Sequence, residues 1–286
     1  HVGRAGTDPI EAMLRVLDLR DDGARTTEDI FTGVSQPMPQ GRVYGGQVLA
    51  QALVAATRTL PADRSPHSMH GYFLRPGDAG ENITFSVDRI HDGRSFSTRR
   101  TQAYQRGVPI FSMIASFQIE DEGLDHQAPM PAGIPAPDEI PTYIPPGRSP
   151  EQLDAFPLEL RPALDASGKL EGVWVRTRAA LPDDPDLHRA ALAYLSDWSI
   201  QDAVLRPHGI SWTQPGLKVA SLDHAMWFHR PARADDWLFY AQESPSARGG
   251  RGLSSGRIYT RGGVLVASVA QEIMVRVPQD DRPDER

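Results

Sequence analysis

The phrase MHGYFLRP (Met69 to Pro76) returns much later as AMWFHRP (Ala225 to Pro231), and a chain that says one thing twice is constrained to a fold built twice. Setting Arg75 on Arg230 gives an offset of 230 − 75 = 155. At that offset, read without gaps, Tyr104 falls on Tyr259, Arg106 on Arg261 and Gly107 on Gly262, while PIFSMIA (Pro109 to Ala115) falls on VLVASVA (Val264 to Ala270). ITFSV (Ile83 to Val87) likewise meets LFYAQ (Leu238 to Gln242). Each half reads as an aromatic-rich strand, a second strand, a polar strand, a glycine turn and an apolar strand. A register of that length is the mark of duplication.

The 286 residues suffice for two units of ordinary size. Between the halves, QAPMPAGIPAPDEIPTYIPPGRSP (Gln127 to Pro150) is too rich in proline to sustain ladder or helix hydrogen bonds, and it reads as a semi-rigid linker. The expected division is an N-terminal unit at 1–124, the linker at 125–150 and a C-terminal unit at 151–286. Each unit has a helix ahead of its strands. In GGQVLAQALVAA (Gly45 to Ala56) the only large polar residues are Gln47 and Gln51, so the helix must be buried on nearly every side. In LHRAALAYL (Leu187 to Leu195) the residues Leu187, Ala190, Ala191, Tyr194 and Leu195 form a helical stripe. TRRTQAYQRGVPIFSMIASF (Thr98 to Phe117) reads as a hairpin turning at Arg106-Gly107. A buried alanine-rich helix followed by an antiparallel meander predicts a curved sheet wrapped around that helix. The expected fold class is α+β, a double hotdog.

Composition narrows the function. A net charge of −7 with no dense Lys/Arg run argues against nucleic acid or an anionic membrane as partner, so an anionic substrate needs a local arginine cluster. With no cysteine, the chain has no disulfide, thiol nucleophile or thiolate metal site, which fits a reducing, cytoplasmic location. No apolar run is long enough to cross a bilayer, and HVGRAG (His1 to Gly6) reads as a remnant or a trimmed start.

Six blocks then carry a resemblance: YGGQVLAQA from Tyr44, HGYFLRPGD from His70, AALAYLSD from Ala190, RPHG from Arg206, LDHAMWFHRP from Leu222 and GVLVASVAQE from Gly263. Together they resemble the acyl-CoA thioesterase II family from about Glu28 to the last strand. The resemblance implies two hotdog units, hydrolysis of medium- to long-chain acyl-CoA to fatty acid and coenzyme A, and no metal or cofactor. It also implies a catalytic trio: Asp197, which ends the AALAYLSD block; Ser221, two residues before the Asp of LDHAMWFHRP, where Thr is the commoner family choice; and Gln271, before the Glu of the last strand. Asp197 would take a proton from a water that Ser221 and Gln271 hold, with direct attack by Asp197 as the other route. Backbone N–H groups near a helix terminus are the expected oxyanion donors. Subtracting 155 from the trio gives Arg42, Pro66 and Ser116, so one active site per chain is expected. The first unit then serves as scaffold, interface and ligand wall, and the exposed sheet edges suggest a homo-oligomer, a dimer or tetramer of double-hotdog chains.

Other patterns are weaker. GLSSG (Gly252 to Gly256) matches the G-x-S-x-G nucleophile elbow, but the last histidine, His229, precedes Ser254, and the repeat puts the stretch in a strand. Asp223 and His224 are strand neighbours and so point to opposite faces, which favours a structural role over an acid/base dyad. His67, His70, His224 and His229 lack metal-site spacing. Arg248, Arg251, Arg257 and Arg261, with Arg99 and Arg100, are candidates for coenzyme A phosphates or simply a solvated face. Met69, Tyr72, Phe73, Met226, Trp227 and Phe228 are candidates for the acyl pocket. Two other functions use the same fold: a non-catalytic acyl-CoA binder or sensor, and an enoyl-CoA hydratase, which would need a His close to Asp197.

Overall fold

The computed structural model describes residues 8–22, 27–144 and 148–278; HVGRAG, and the part of the proline-rich segment at 145–147, lie outside the described residues. The first half runs α1 (Pro9–Leu17), β1 (Arg20–Asp21), β2 (Asp29–Gly33), α2 (Gly45–Thr57), β3 (Arg64–Phe73), β4 (Ile83–Asp92), β5 (Phe96–Gln105) and β6 (Val108–Ile119). The second runs α3 (Pro150–Asp154), β7 (Leu158–Leu164), β8 (Leu170–Thr177), α4 (Pro185–Ser196), α5 (Asp202–Leu205), β9 (Lys218–Ser221), β10 (Asp223–Phe228), β11 (Leu238–Arg248), β12 (Arg251–Thr260) and β13 (Leu265–Arg276). The second half repeats the order of the first, with α5 inserted after α4 and the counterpart of β3 split at Leu222.

The strands form one antiparallel sheet in the order β1-β2-β4-β5-β6-β3-β10-β13-β12-β11-β8-β7, with β9 also on β13. The chain is a double hotdog. The repeated phrase makes its joint: β3 and β10 pair at the middle of the sheet, with Met69 opposite Met226 and Tyr72 opposite Asp223. Its arginines do the same work in each half. Arg75 Nη1 donates to Pro109 O at 2.8 Å, and Arg230 Nη1 donates to Leu265 O at 3.0 Å, each tying the end of the opening strand to the start of the last one.

Those two bonds correct the ungapped register, because 230 − 75 = 155 whereas 265 − 109 = 156. Cross-strand pairs agree: Thr101 faces Met113 while Gly256 faces Val269, and 269 − 113 = 156. The extra residue is in the last turn. Strands β5 and β6 close with the two residues Arg106-Gly107, both at positive φ as a tight primed turn requires. Strands β12 and β13 instead use Arg261-Gly262-Gly263 between Thr260 and Val264, whose backbone groups are bonded. The helices follow yet another offset, since the N-caps Tyr44 and Asp184 differ by 184 − 44 = 140.

In α2, Ala, Leu and Gln supply strong helix formers without a β-branched run. Its two glutamines are buried and satisfied: Gln47 Nε2 donates to Gln51 Oε1 at 3.1 Å, Gln47 Oε1 accepts from Gln36 N at 2.9 Å, and Gln51 Nε2 reaches Val34 O at 2.7 Å. Without those partners each buried amide would cost about 1–3 kcal/mol. Helix α4 is started by Asp184, which caps it, and by Pro185 at its first position. The beginning of α2 lies against the end of α4, and one apolar core from Ile10 to Val269 joins both halves, with Leu49 and Leu53 each contributing about 1.5–3 kcal/mol.

The proline-rich segment is fastened to the second half. Gln127 bonds Gly263 O at 2.9 Å and Leu265 N at 3.0 Å, and Trp174 Nε1 donates to Pro135 O at 2.9 Å. Met130, Ile134 and Ile140 then pack on a second apolar cluster that contains Trp174, Phe239 and Tyr259. It covers sheet surface as well as spanning the halves.

Candidate active site

Asp197 is the residue that closes α4, and its carboxyl points at the first turn of α2 in the other half of the chain. The sequence there leaves room for it. A Cβ at Gly45 would stand 2.6 Å from Asp197 Oδ2, and one at Gly46 would stand 2.2 Å from Tyr194 O, so only glycines let the two helix ends approach this closely. Tyr44, at the cap, makes no side-chain capping bond. The amides at the start of α2 are therefore free to turn to the carboxylate, and the helix dipole adds partial positive charge at the same place.

Four groups donate to Asp197: the Gln271 amide, the Gly46 N–H, the Gln201 amide and the Ser221 hydroxyl. Gln201 Nε2 stands 3.1 Å from Asp197 Oδ1, and Gln271 Nε2 stands 3.1 Å from Ser221 Oγ. Asp197, Ser221 and Gln271 thus come together from α4, β9 and β13. Asp197 is 4% exposed and Gln271 0%. Burial is the largest influence on the Asp197 carboxyl and raises its pKa to about 7, with the four hydrogen bonds opposing the rise. Tyr44 and Tyr240, the ionisable side chains facing it, are pushed well above their ordinary pKa, chiefly by burial, and are neutral.

Three neighbours of the trio escaped sequence reasoning. The Gly45-Gly46 pair was visible as a motif, but nothing local says which distant helix it meets. Gln201 stands four residues beyond Asp197, a spacing that a search for helical neighbours would have tested. His224, read as structural, is fully buried beside Gln271: its Nδ1 meets Gln271 Oε1, and its Nε2 stands 2.9 Å from Ser196 Oγ. Asp223 does point the other way, accepting from Glu272 N at 2.8 Å.

The first half holds no second trio. With the corrected registers the counterparts of Asp197, Ser221 and Gln271 are Thr57, Pro66 and Ala115, in place of Arg42, Pro66 and Ser116. The pairing supports this: Pro66 faces Phe117 as Ser221 faces Ile273. A cavity of about 380 Å³ lies at this mirrored end, lined by Thr57, Pro66, Leu53, Val54 and Leu187, with Asp184 capping the helix start that α2 leaves open.

The remaining candidates separate cleanly. Ser254 is a buried residue of β12 whose hydroxyl donates to Ile200 O at 2.9 Å, so GLSSG is strand and not an elbow. Arg99 is 1% exposed and held by Thr59, His91 O and Asp92, which removes it as a phosphate ligand. Arg100, Arg251 and Arg261 are paired with Asp88, Glu272 and Asp138, while Arg248 and Arg257 are exposed. Among the pocket candidates, Met69 and Met226 face inward, Phe73 lies within 3.2 Å of where a Gly45 Cβ would be, and Tyr72 and Trp227 face outward. Among the described residues no three His, Asp or Glu side chains gather as a metal would need, and no helix is long and apolar enough to cross a membrane.

Two family descriptions match the chain: "Acyl-CoA thioesterase" over residues 151–274 and "Acyl-CoA thioesterase N-terminal domain" over residues 34–118. The chain is 37% identical to human acyl-coenzyme A thioesterase 8 over 87% of its own length and 85% of that protein. It is 36% identical to acyl-CoA thioesterase 2 of Haemophilus influenzae, covering 94% of this chain and 99% of that protein. Among solved structures, it is similar to the acyl-CoA thioesterase II TesB2 of Mycobacterium marinum with a TM-score of 0.79 and 44% identity, covering 94% of this chain and 99% of the other.

Proposed function

The chain belongs to the acyl-CoA thioesterase II family, and from that premise we propose that it hydrolyses medium- to long-chain acyl-CoA thioesters with Asp197 as the general base. The chain is a thioester hydrolase; the acyl length and the residue roles are our reading. The observation that carries it is a buried carboxylate with a pKa of about 7 that accepts from both Ser221 and Gln271 and faces a helix N-terminus.

A general base works best when its pKa is close to the working pH, where it is ionised yet still binds a proton. Here burial supplies that tuning. A water held between Asp197, Ser221 and Gln271 gives its proton to Asp197 and attacks the thioester carbonyl carbon. Charge then develops on the carbonyl oxygen, and the N–H of Gly45, beside the Gly46 N–H that holds Asp197, is the donor placed to receive it. Collapse of the tetrahedral intermediate breaks the C–S bond, and the proton on Asp197 passes to the departing sulfur of coenzyme A. The four donors that spread the charge of Asp197 favour this water route over attack by the carboxylate itself.

The two other functions fit less well. A sensor has no use for a carboxylate tuned by burial against two water-holding donors. A hydratase needs an ionisable His facing the substrate, whereas both nitrogens of His224 are occupied and burial lowers its pKa to about 4. Met69, Met226 and Phe73 are the proposed acyl wall. We assign the protein to the cytoplasm, and association of chains to the outer sheet face that exposes Tyr72 and Ile114. Thiol release from a series of acyl-CoA thioesters tests the reading. Rates should climb from acetyl to medium and long chains. A preference for acetyl-CoA would refute the chain-length assignment, tight binding without thiol release would favour the sensor, and loss of enoyl absorbance would favour the hydratase.

A further inference from the structure

We propose that His224 is a positioning residue that locks the Gln271 amide with its nitrogen toward Asp197 and the attacking water. This rests on the trio reading above and extends it by one residue.

Which groups can donate fixes the orientation of the Gln271 amide. An ionised carboxylate only accepts, so the Gln271 group facing Asp197 and Ser221 must be its NH2, as the 3.1 Å bond from Nε2 to Ser221 Oγ has it. Its oxygen then faces His224 Nδ1, and because that oxygen only accepts, Nδ1 must carry the imidazole proton. His224 Nε2 is left to accept, which requires the Ser196 hydroxyl, 2.9 Å away and next in sequence to Asp197, to turn its single proton to Nε2 and away from Ala193 O, 2.8 Å from the same oxygen. Each bond fixes the next. A flip of Gln271 would set oxygen against carboxylate on one side and NH2 against N–H on the other. Burial keeps His224 neutral, so this single tautomer holds across the working pH range.

The duplication supplies an internal control. The counterpart of His224 is Met69, fully buried, and the counterpart of Gln271 is Ala115, which pairs directly with Met69. By the helix offset, Ser196 answers to Ala56. The same strand and helix positions therefore carry the complete polar relay in the half with Asp197 and apolar side chains in the half without it. Folding of a hotdog unit does not call for a buried imidazole at this place. Desolvating one is unfavourable, and its presence tracks the trio.

The test uses the full chain and four variants: Gln271→Ala, His224→Met, His224→Asn and the double variant His224→Met/Gln271→Ala. Methionine is the residue that the first half already buries at this position, so His224→Met should fold with near-normal circular dichroism. Its kcat should fall by about 100-fold with KM changed by less than about twofold, because geometry is lost and binding is not. His224→Asn, whose side-chain NH2 can replace the Nδ1 donor, should recover most of that loss. The double variant should be no slower than Gln271→Ala alone. The acid limb of the kcat/KM profile should also move to higher pH in His224→Met, since Asp197 loses a donor that favours its charged form; Gly46 N–H, Gln201, Ser221 and the neutral Tyr44 and Tyr240 still face it. Full kcat in His224→Met, or losses that multiply in the double variant, would overturn the proposal. Full kcat in Gln271→Ala would instead bring down the trio reading beneath it.

Discussion

Asp197 shows how much a site residue can cost the fold that holds it. Its pKa of about 7 lies above that of an exposed aspartate, so between about pH 4 and pH 7 the folded chain retains a proton that the unfolded chain has released. The unfolded state then binds fewer protons, and stability falls as pH rises through that window and stays low above it. At about 1.4 kcal/mol per pH unit of separation, the loss is of the order of 4 kcal/mol. Asp197→Asn carries no such dependence. Thermal unfolding of the two proteins should show the wild type losing Tm relative to the variant from pH 4 to pH 7, with the gap constant beyond; parallel curves would show that the carboxyl is not tuned as described. At this scale the members of the proposed trio could be picked out because they sit in long sequence blocks that resemble the family, and the structure brings them together. The environment that gives them their chemistry could not be read, since the burial of Asp197 and its contact with Gly46 join residues from opposite halves. The surroundings of His224 were hidden for a related reason. Strand alternation correctly separates it from Asp223 but says nothing about its neighbour on the next strand.

Among the elements, the two long helices α2 and α4 and most strands followed from periodicity and from the repeat, including the hairpin at Arg106-Gly107, whereas α1, α3 and α5 did not. What a single offset could not follow was where duplication had since diverged. The structure needs three: 140 for the helix starts, 155 for the opening strand and 156 for the last strand. The step between the first two is the insertion that carries α5 and leads to β9, and the extra Gly263 makes the second. Both changes surround the site. The insertion supplies Gln201, and the added residue moves the strand that holds Gln271 by one place, which replaces Ser116 by Ala115 as its counterpart. Approximate registers were enough to show that the first half has no counterpart of the proposed trio, because no candidate there is a carboxylate under any of them.

For the molecule as a whole, the proposed site makes the two halves unequal parts of one unit. The second half brings Asp197, Ser221 and Gln271, the first brings the glycine-opened end of α2, and the core and the β3–β10 joint run through both. Separated halves should therefore fail individually. Residues 148–278 expressed alone would expose β10 as a free sheet edge and strip α4 of its partner helix, so thiol release should be absent from either half and return on co-expression; an active C-terminal half would show that α2 is dispensable. The claim that ties these scales together is that Asp197 is the base. The measurement that tests it most directly is thiol release by the wild type and by Asp197→Asn across pH 5 to 9 with a long-chain acyl-CoA. The wild-type kcat/KM should rise with pH and level off above about 7, and the variant should be slower by about 1,000-fold with no such limb. Equal rates in the two proteins, or a wild-type profile flat through pH 7, would contradict it.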